Sequence, residues 1–223
     1  MSQPARRQQL LEAAQLVNAR THEDLVREGL KDSNPAVSAL AKKLADTWKV
    51  SESAPTGPKV STMKPEEAVA ALVKLKGDAA RGEGVFVKLS CNKCHTVKPD
   101  EPIRGPYLPN VAKTYKREQL AESILLPSKT IAQGFVTNVF AMNDGKTISG
   151  FVISEAADVV TIRNNEGNEL KLRVEDIDER AKQTISMMPD NLAKDLTLEE
   201  LASLLTYLES LASRATAVSP KAP

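Results

Sequence analysis

The sequence predicts a mainly α-helical protein into which a small antiparallel β-sheet or barrel is inserted. Apolar residues recur every three or four positions in residues 5–49 and again in residues 198–211, which predicts helices in both segments. Residues 135–174 instead alternate apolar and polar side chains, or carry β-branched ones, between turn sequences, which predicts strands. The 223 residues are enough for one or two domains.

Residues 1–50 are predicted to form a short HEAT-like helical region. Residues 32–48 resemble the second half of a HEAT-type unit. The apolar positions of this segment are Val37, Leu40, Ala41, Leu44 and Trp48. One or two such units cannot bury their apolar faces without stacked neighbours. We therefore interpret the region as the end of a helical array or as a small cap on the next domain, and a plain helical hairpin is the alternative.

Residues 51–64, rich in Ser, Pro, Thr and Gly, predict a linker to a second domain at residues 65–213. Helix signals recur in that domain, because proline favours the first helical turn and Asp or Thr caps it. They predict helices at residues 65–77, after the Asp78 cap, at residues 117–126 before Pro127, and after the Thr197-x-x-Glu200 capping box. Residues 214–223, rich in Ala, Pro and Ser, predict a disordered tail.

The most specific motif is Cys91-Asn92-Lys93-Cys94-His95, a CxxCH that contains both cysteines and one of the two histidines of the chain. Two thiols three positions apart on one turn can each form a thioether with one vinyl group of a haem. The next residue, His95, then directs its imidazole at the iron as the proximal ligand. The motif therefore predicts covalent attachment of one haem c through Cys91 and Cys94.

Two other uses of a CxxC pair are less favoured. A structural zinc site needs four ligands, and the sequence offers no second CxxC and only the distant His22. A thioredoxin-like redox pair would follow a strand and begin a helix, whereas the residues before Cys91 are predicted to be helical.

Two further segments contain candidate partners for the histidine and the iron. A metal-bound histidine donates its other ring N–H to an acceptor, and the backbone carbonyl of Pro106 is the candidate acceptor for His95. An ordinary Gly-Pro turn is the alternative. A methionine thioether favours ferrous iron and raises its reduction potential. Met188, which precedes Pro189, is thus predicted to be the distal iron ligand, with Met187 as the fallback and core packing of both as the alternative. Met63, Met142 and His22 are the other candidate ligands.

The β insertion, residues 135–174, separates the haem motif from these methionines. Four antiparallel strands are predicted, at residues 135–141, 147–154, 159–164 and 169–174. A faint likeness to RNA-binding Sm-like barrels is outweighed by the mildly acidic character of the insert, which opposes phosphate binding. We expect a docking surface or a cover over part of the haem edge.

The second domain resembles class I cytochromes c at five places: Gly82 with Phe86, the CxxCH motif, Gly105-Pro106-x-Leu108, Met188-Pro189, and Leu204 with Tyr207. Residues 77–82, 123–129, 144–146 and 186–189 more specifically resemble the planctomycete and verrucomicrobial type of haem-binding cytochrome domain. The resemblance implies a cytochrome c fold in which the first and last helices cross, with a β insertion. It also implies a position after HEAT-like and propeller dehydrogenase domains in large secreted proteins.

Charge and composition bear on partners and location. The formal net charge of +1 opposes nucleic-acid binding, and no apolar run reaches membrane-spanning length. Lys88, Lys93 and Lys98 are interpreted as a solvated face or as a patch that steers an acidic redox partner. The first residues lack the apolar stretch of a secretory signal. Because the resemblance implies haem attachment outside the cytoplasmic membrane, we expect a periplasmic or extracytoplasmic protein, as a mature form or a fragment of a longer exported chain.

The expected function is one-electron transfer rather than an enzymatic reaction. His95 and Met188 would ligate the iron, and electrons would come from a redox partner protein or a fused dehydrogenase domain. A haem enzyme or gas sensor with an open sixth site, or a protein-interaction scaffold, is the alternative.

Overall fold

The computed structural model describes residues 4–18, 22–99, 101, 105–164 and 166–213. These residues form eight α-helices and one five-stranded antiparallel sheet, a mixed α and β fold. Their buried apolar side chains gather in three clusters: one in the N-terminal helices, one in the helices around the CxxCH motif, and one in the sheet. The predicted tail lies outside the described residues.

The N-terminal region consists of helices α1 (Pro4–Leu16), α2 (Glu23–Leu30) and α3 (Pro35–Trp48). The side chain of Asn34 caps α3 by accepting hydrogen bonds from the amides of Ala36 and Val37, and proline occupies the first turn. The apolar faces of the three helices enclose a common cluster of Leu11, Ala14, Val26, Val37, Ala41, Leu44, Ala45 and Trp48.

The predicted linker is partly ordered. Residues Val60–Thr62 form a 3₁₀ turn, and Val60 is buried in the main helical cluster. The amide of Val60 donates to the carbonyl of Leu196 at 2.8 Å, and the amide of Leu198 donates to the carbonyl of Pro58 at 3.2 Å. The end of the linker is therefore held against the chain that leads into the last helix.

Five helices form the rest of the α-helical part: α4 (Pro65–Lys74), α5 (Ala79–Lys88), α6 (Leu108–Thr114), α7 (Arg117–Leu125) and α8 (Leu198–Ser210). The Asp78 cap and the Thr197–Glu200 capping box are confirmed. The predicted end of α4 at Gly77 is wrong, because the chain is already extended at Leu75. Gly77 instead allows a close approach to α8, since a Cβ atom there would lie 2.3 Å from the amide nitrogen of Ser203.

Helices α5 and α8 cross in close contact. A Cβ atom on Gly82 would lie 2.0 Å from the carbonyl oxygen of Ser203 and 2.7 Å from the Cβ atom of Tyr207. One turn further along α5, the ring of Phe86 packs on that of Tyr207, with centroids 5.5 Å apart. The crossing fixes the end of α5, and the CxxCH motif follows directly from that end.

The sheet contains β1 (Thr137–Met142), β2 (Thr147–Glu155), β3 (Val159–Arg163), β4 (Glu169–Arg173) and β5 (Ile177–Lys182). Its strand order is β4-β3-β2-β1-β5, and every pair is antiparallel. The four predicted strands are confirmed, but the sheet continues past residue 174 because β5 pairs with β1. Phe140, Val160, Ile162 and Leu172 form the buried core of the sheet.

Candidate functional site

The CxxCH motif forms a compact turn after α5. Ser90 adopts the left-handed conformation, φ 60°, which is uncommon for a residue other than glycine and turns the chain out of the helix. Cys91–Lys93 then form a 3₁₀ turn. The amides of Cys94 and His95 both donate to the carbonyl of Cys91, at 3.2 and 2.8 Å. The carbonyl of Cys91 therefore fixes the backbone of Cys94 and His95 relative to Cys91.

The orientation of His95 is set by a backbone acceptor. Its Nδ1 atom lies 3.1 Å from the carbonyl oxygen of Pro106, the contact that the sequence analysis expects. Because a carbonyl can only accept, Nδ1 carries the hydrogen and Nε2 keeps a lone pair. Burial lowers the pKa of His95, against a smaller opposite effect of the Pro106 carbonyl. The neutral imidazole thus has its Nε2 atom available to a metal.

The chain around Pro106 is held in place by a short bridge to the motif. Thr96 and Tyr107 form an isolated parallel β-bridge, and the amide of Leu108 donates to the carbonyl of Thr96 at 3.1 Å. Gly105 packs against the motif, since a Cβ atom there would lie 2.9 Å from the carbonyl oxygen of Cys94. These contacts explain why a Gly-Pro sequence follows the CxxCH motif.

Two buried hydroxyl groups at this bridge have no hydrogen-bond partner within the described part of the chain. They are Oγ1 of Thr96 and Oη of Tyr107. A buried polar atom without a partner costs free energy, and such atoms are uncommon in folded proteins. The bridge that holds Pro106 therefore includes two unsatisfied polar atoms.

The two thiols differ in their surroundings. Cys91 packs against the main helical cluster, whereas Cys94 is exposed, and both are free cysteines. Burial raises the pKa of the Cys91 thiol to about 11, with a smaller contribution from Cys94. Thiol–disulfide exchange needs a thiolate, so a protonated Cys91 disfavours the thioredoxin-like alternative. In the described ranges, no group of three or more His, Cys, Asp or Glu side chains is arranged to hold a metal ion.

Met188 reaches the same helical core as Cys91. Its partly buried side chain packs against the main cluster, while the Met187 side chain is 37% exposed. The amide of Met188 donates to Oγ of Ser186 at 3.1 Å. The amide of Ser186 in turn donates to Oγ of Ser128 at 3.1 Å. Between the two methionines, Met188 is therefore the one directed towards the helical core.

Three other residues singled out in the sequence have different surroundings: Lys88, Lys98 and His22. Lys88 does not belong to a free basic patch, because its Nζ atom lies 3.0 Å from Glu200 and 3.6 Å from Glu23. Lys98 is exposed. His22, the second histidine, lies exposed before α2 and makes no side-chain capping bond. The pairing of Lys88 joins the N-terminal helices to α5 and α8, and no local sequence signal predicts it.

Comparison of the chain with protein-family models and with curated proteins finds no match. Within the described part of the chain, no helix is both long enough and apolar enough to cross a membrane.

Proposed function

We propose that this chain is a c-type cytochrome that carries single electrons between proteins. The observation that carries the proposal is the hydrogen bond from His95 to Pro106, beside two free thiols at CxxC spacing. Together they give a histidine of fixed tautomer next to two attachment points, the donor set that a covalently bound haem needs. The residues present therefore fit the group.

Each residue has a distinct role in this proposal. Cys91 and Cys94 hold the haem as thioethers, and His95 binds the iron through Nε2 while Pro106 fixes its ring. Met188 is the distal ligand, because it is the methionine directed towards the core that Cys91 also contacts. A haem held there supplies an iron that alternates between the ferric and ferrous states by one electron.

The helix crossing supports the likeness to class I cytochromes c. That resemblance implies an N-terminal helix before the haem motif and a C-terminal helix that cross through small and aromatic residues. Gly82 with Tyr207 provides such a contact between α5 and α8. We infer that the helical part is a cytochrome c domain with the sheet inserted between its proximal and distal ligands. Its electron donor is a redox partner protein or a fused dehydrogenase domain, in the periplasm or another extracytoplasmic compartment.

The proposal is tested by producing the chain together with the c-type haem maturation machinery. We expect haem that stays attached on a denaturing gel and, in the ferric protein, the weak band at about 695 nm expected from methionine-ligated cytochromes. No covalent haem would contradict the proposal. Covalent haem without the band would move the distal ligand away from methionine.

Two methionine variants distinguish an electron carrier from a haem protein whose iron binds an external ligand. Met188→Ala should remove the band and allow imidazole or carbon monoxide to bind the iron, whereas Met187→Ala is the matched control and should change neither. A Met188→Ala protein with an unchanged spectrum would instead show that Met188 is not the ligand.

A further inference from the structure

The loop that carries Met188 is tied to the helical core by two successive hydrogen bonds. The amide of Ser186 donates to the hydroxyl of Ser128, and the amide of Met188 donates to the hydroxyl of Ser186, each at 3.1 Å. Both bonds are partly buried. The backbone on either side of Met187 is therefore fixed relative to the turn that contains Ser128.

Ser128 is itself firmly placed. It follows α7 in a tight turn, in which the amide of Lys129 donates to the carbonyl of Leu126 at 3.0 Å. Pro127, at the second position of that turn, is buried. Lys129 pairs with Glu122 of α7. Since α7 packs into the main cluster through Leu120 and Ala121, the hydroxyl of Ser128 belongs to the rigid helical part.

The Ser128–Ser186 contact joins positions that are far apart in sequence. The two residues are 58 positions apart, and the whole β-sheet lies between them. On its N-terminal side, the Met188 loop continues from β5, the charged and exposed edge strand of the sheet. The hydrogen bond bypasses the sheet and connects the loop to the turn that follows α7.

We propose that Ser128 is a positioning residue for the distal iron ligand. Its hydroxyl orients Ser186, whose hydroxyl holds the amide of Met188, so that movement of the sheet does not displace the methionine sulfur. This inference rests on the proposed function, because it takes Met188 as the ligand. It adds that α7, rather than the inserted sheet, determines where that ligand lies.

The test compares three haem-loaded variants of this chain. Ser128→Ala removes the acceptor, and Ser128→Thr keeps a hydroxyl. Ser123→Ala removes a serine hydroxyl that donates to the carbonyl of Gln119 in its own helix. We expect ferric Ser128→Ala to bind imidazole roughly threefold to tenfold more tightly and to lose intensity at about 695 nm. Imidazole competes with Met188 for the iron, and the loss of one hydrogen bond weakens the hold on Met188 by about that factor. Ser128→Thr and Ser123→Ala should match the wild type.

A second measurement does not depend on the haem spectrum. Amide hydrogen exchange at Ser186 should be roughly threefold to tenfold faster in Ser128→Ala than in the wild type, and unchanged in Ser123→Ala. If Ser128→Ala does not fold, Ser186→Ala replaces it, and the amide of Met188 becomes the one that exchanges faster. Wild-type exchange and wild-type imidazole affinity in the alanine variant would overturn the proposal.

The two proposals fail in different ways. If Met188→Ala loses the methionine band but Ser128→Ala keeps its wild-type spectrum and affinity, only the positioning role is wrong. If Met188→Ala itself keeps the wild-type spectrum, the ligand assignment is wrong and the positioning role is overturned with it.

Discussion

The helical core around the CxxCH motif and the five-stranded sheet are assembled in opposite ways. The helical cluster joins residues from Val60 to Leu211, so segments at both ends of the domain must meet to complete it. The sheet cluster draws only on strands between Thr137 and Lys182. The sheet can therefore form from its own stretch of chain, whereas the helical core depends on contacts between distant segments.

The connection between the two regions is narrow. Strand β1 begins and β5 ends side by side, and the amide of Gln183 donates to the carbonyl of Thr137 at 2.8 Å. The Ser128–Ser186 bond further reinforces that junction. Because every proposed haem contact lies in the helical part, a substitution that destabilises one region should leave the stability of the other unchanged. The following predictions test that separation.

The largest effect is expected at the α5–α8 crossing. In Gly82→Val, the new Cβ atom would lie 2.0 Å from the carbonyl oxygen of Ser203, and backbone cannot move aside as a flexible side chain does. The two helices must separate, which should cost at least about 3 kcal/mol of unfolding free energy. We expect a helical core that neither folds stably nor acquires covalent haem, measured by urea unfolding followed by circular dichroism and by haem content.

Gly145→Ala in the β1–β2 turn is the matched control. A Cβ atom there meets nothing within 4 Å, so only its φ of +84° opposes the substitution, by about 1 kcal/mol. The proposed importance of the crossing would be wrong if Gly82→Val cost no more than this control.

A substitution in the core of the sheet should destabilise the sheet and leave the helices unchanged. Phe140 is fully buried, and the guanidinium of Arg180 lies 5.3 Å from its ring centroid. Phe140→Ala should therefore cost the sheet about 3–5 kcal/mol. Hydrogen exchange should accelerate across residues 137–182, while α5 and α8 keep wild-type protection. Val174→Ala, at a side chain 42% exposed, serves as the control. Equal acceleration in the helices would mean that the two regions unfold as one unit.

Much of the helical part was predictable because its signals are local. The Asp78 cap, the Thr197–Glu200 capping box and the turn sequence at Gly145 each act within a few residues, and the structure contains all three. The contact of His95 with Pro106 was also expected, since the chemistry of a ligating histidine requires an acceptor.

The remaining features depend on distant contacts. Strand β5 was not predicted because its exposed and charged residues show no alternation. It is held by pairing with β1 and by Arg180, which contacts Asn138, Glu155 and the ring of Phe140. The role of Ser128 likewise depends on a residue 58 positions away. A single sequence contains no local sign of either contact.

Arg117 is a second residue whose role in the helical core depends on distant contacts. Its guanidinium donates to the carbonyls of Leu72, Leu75 and Ala202, at 2.8, 2.7 and 3.0 Å, and pairs with Glu209 at 2.6 Å. Arg117→Met should cost about 3 kcal/mol, because carbonyls at the end of α4 and within α8 lose their partner. Urea unfolding of the haem-free protein measures the change.

Arg173, in the sheet, is the matched control for Arg117. Arg173 is exposed and pairs with Glu175 at 2.7 Å and Asp176 at 2.9 Å, so Arg173→Met should leave the free energy of unfolding nearly unchanged. Similar losses in the two methionine variants would contradict the structural difference between the two regions.

The smallest effect is expected from removing the sheet altogether. Because Gln183 donates to the carbonyl of Thr137, these residues can become the flanking pair of a two-residue hairpin, with Asn-Gly in place of residues 138–182. Ser128 would still hold Ser186 and the Met188 loop. We expect the free energy of unfolding of the helical core to change by less than about 1 kcal/mol, since the entropic cost of closing a loop depends only weakly on its length and is smaller for a shorter one. The methionine band should also be retained. Loss of the band, with covalent haem and helical content intact, would mean that the sheet determines the position of the distal ligand.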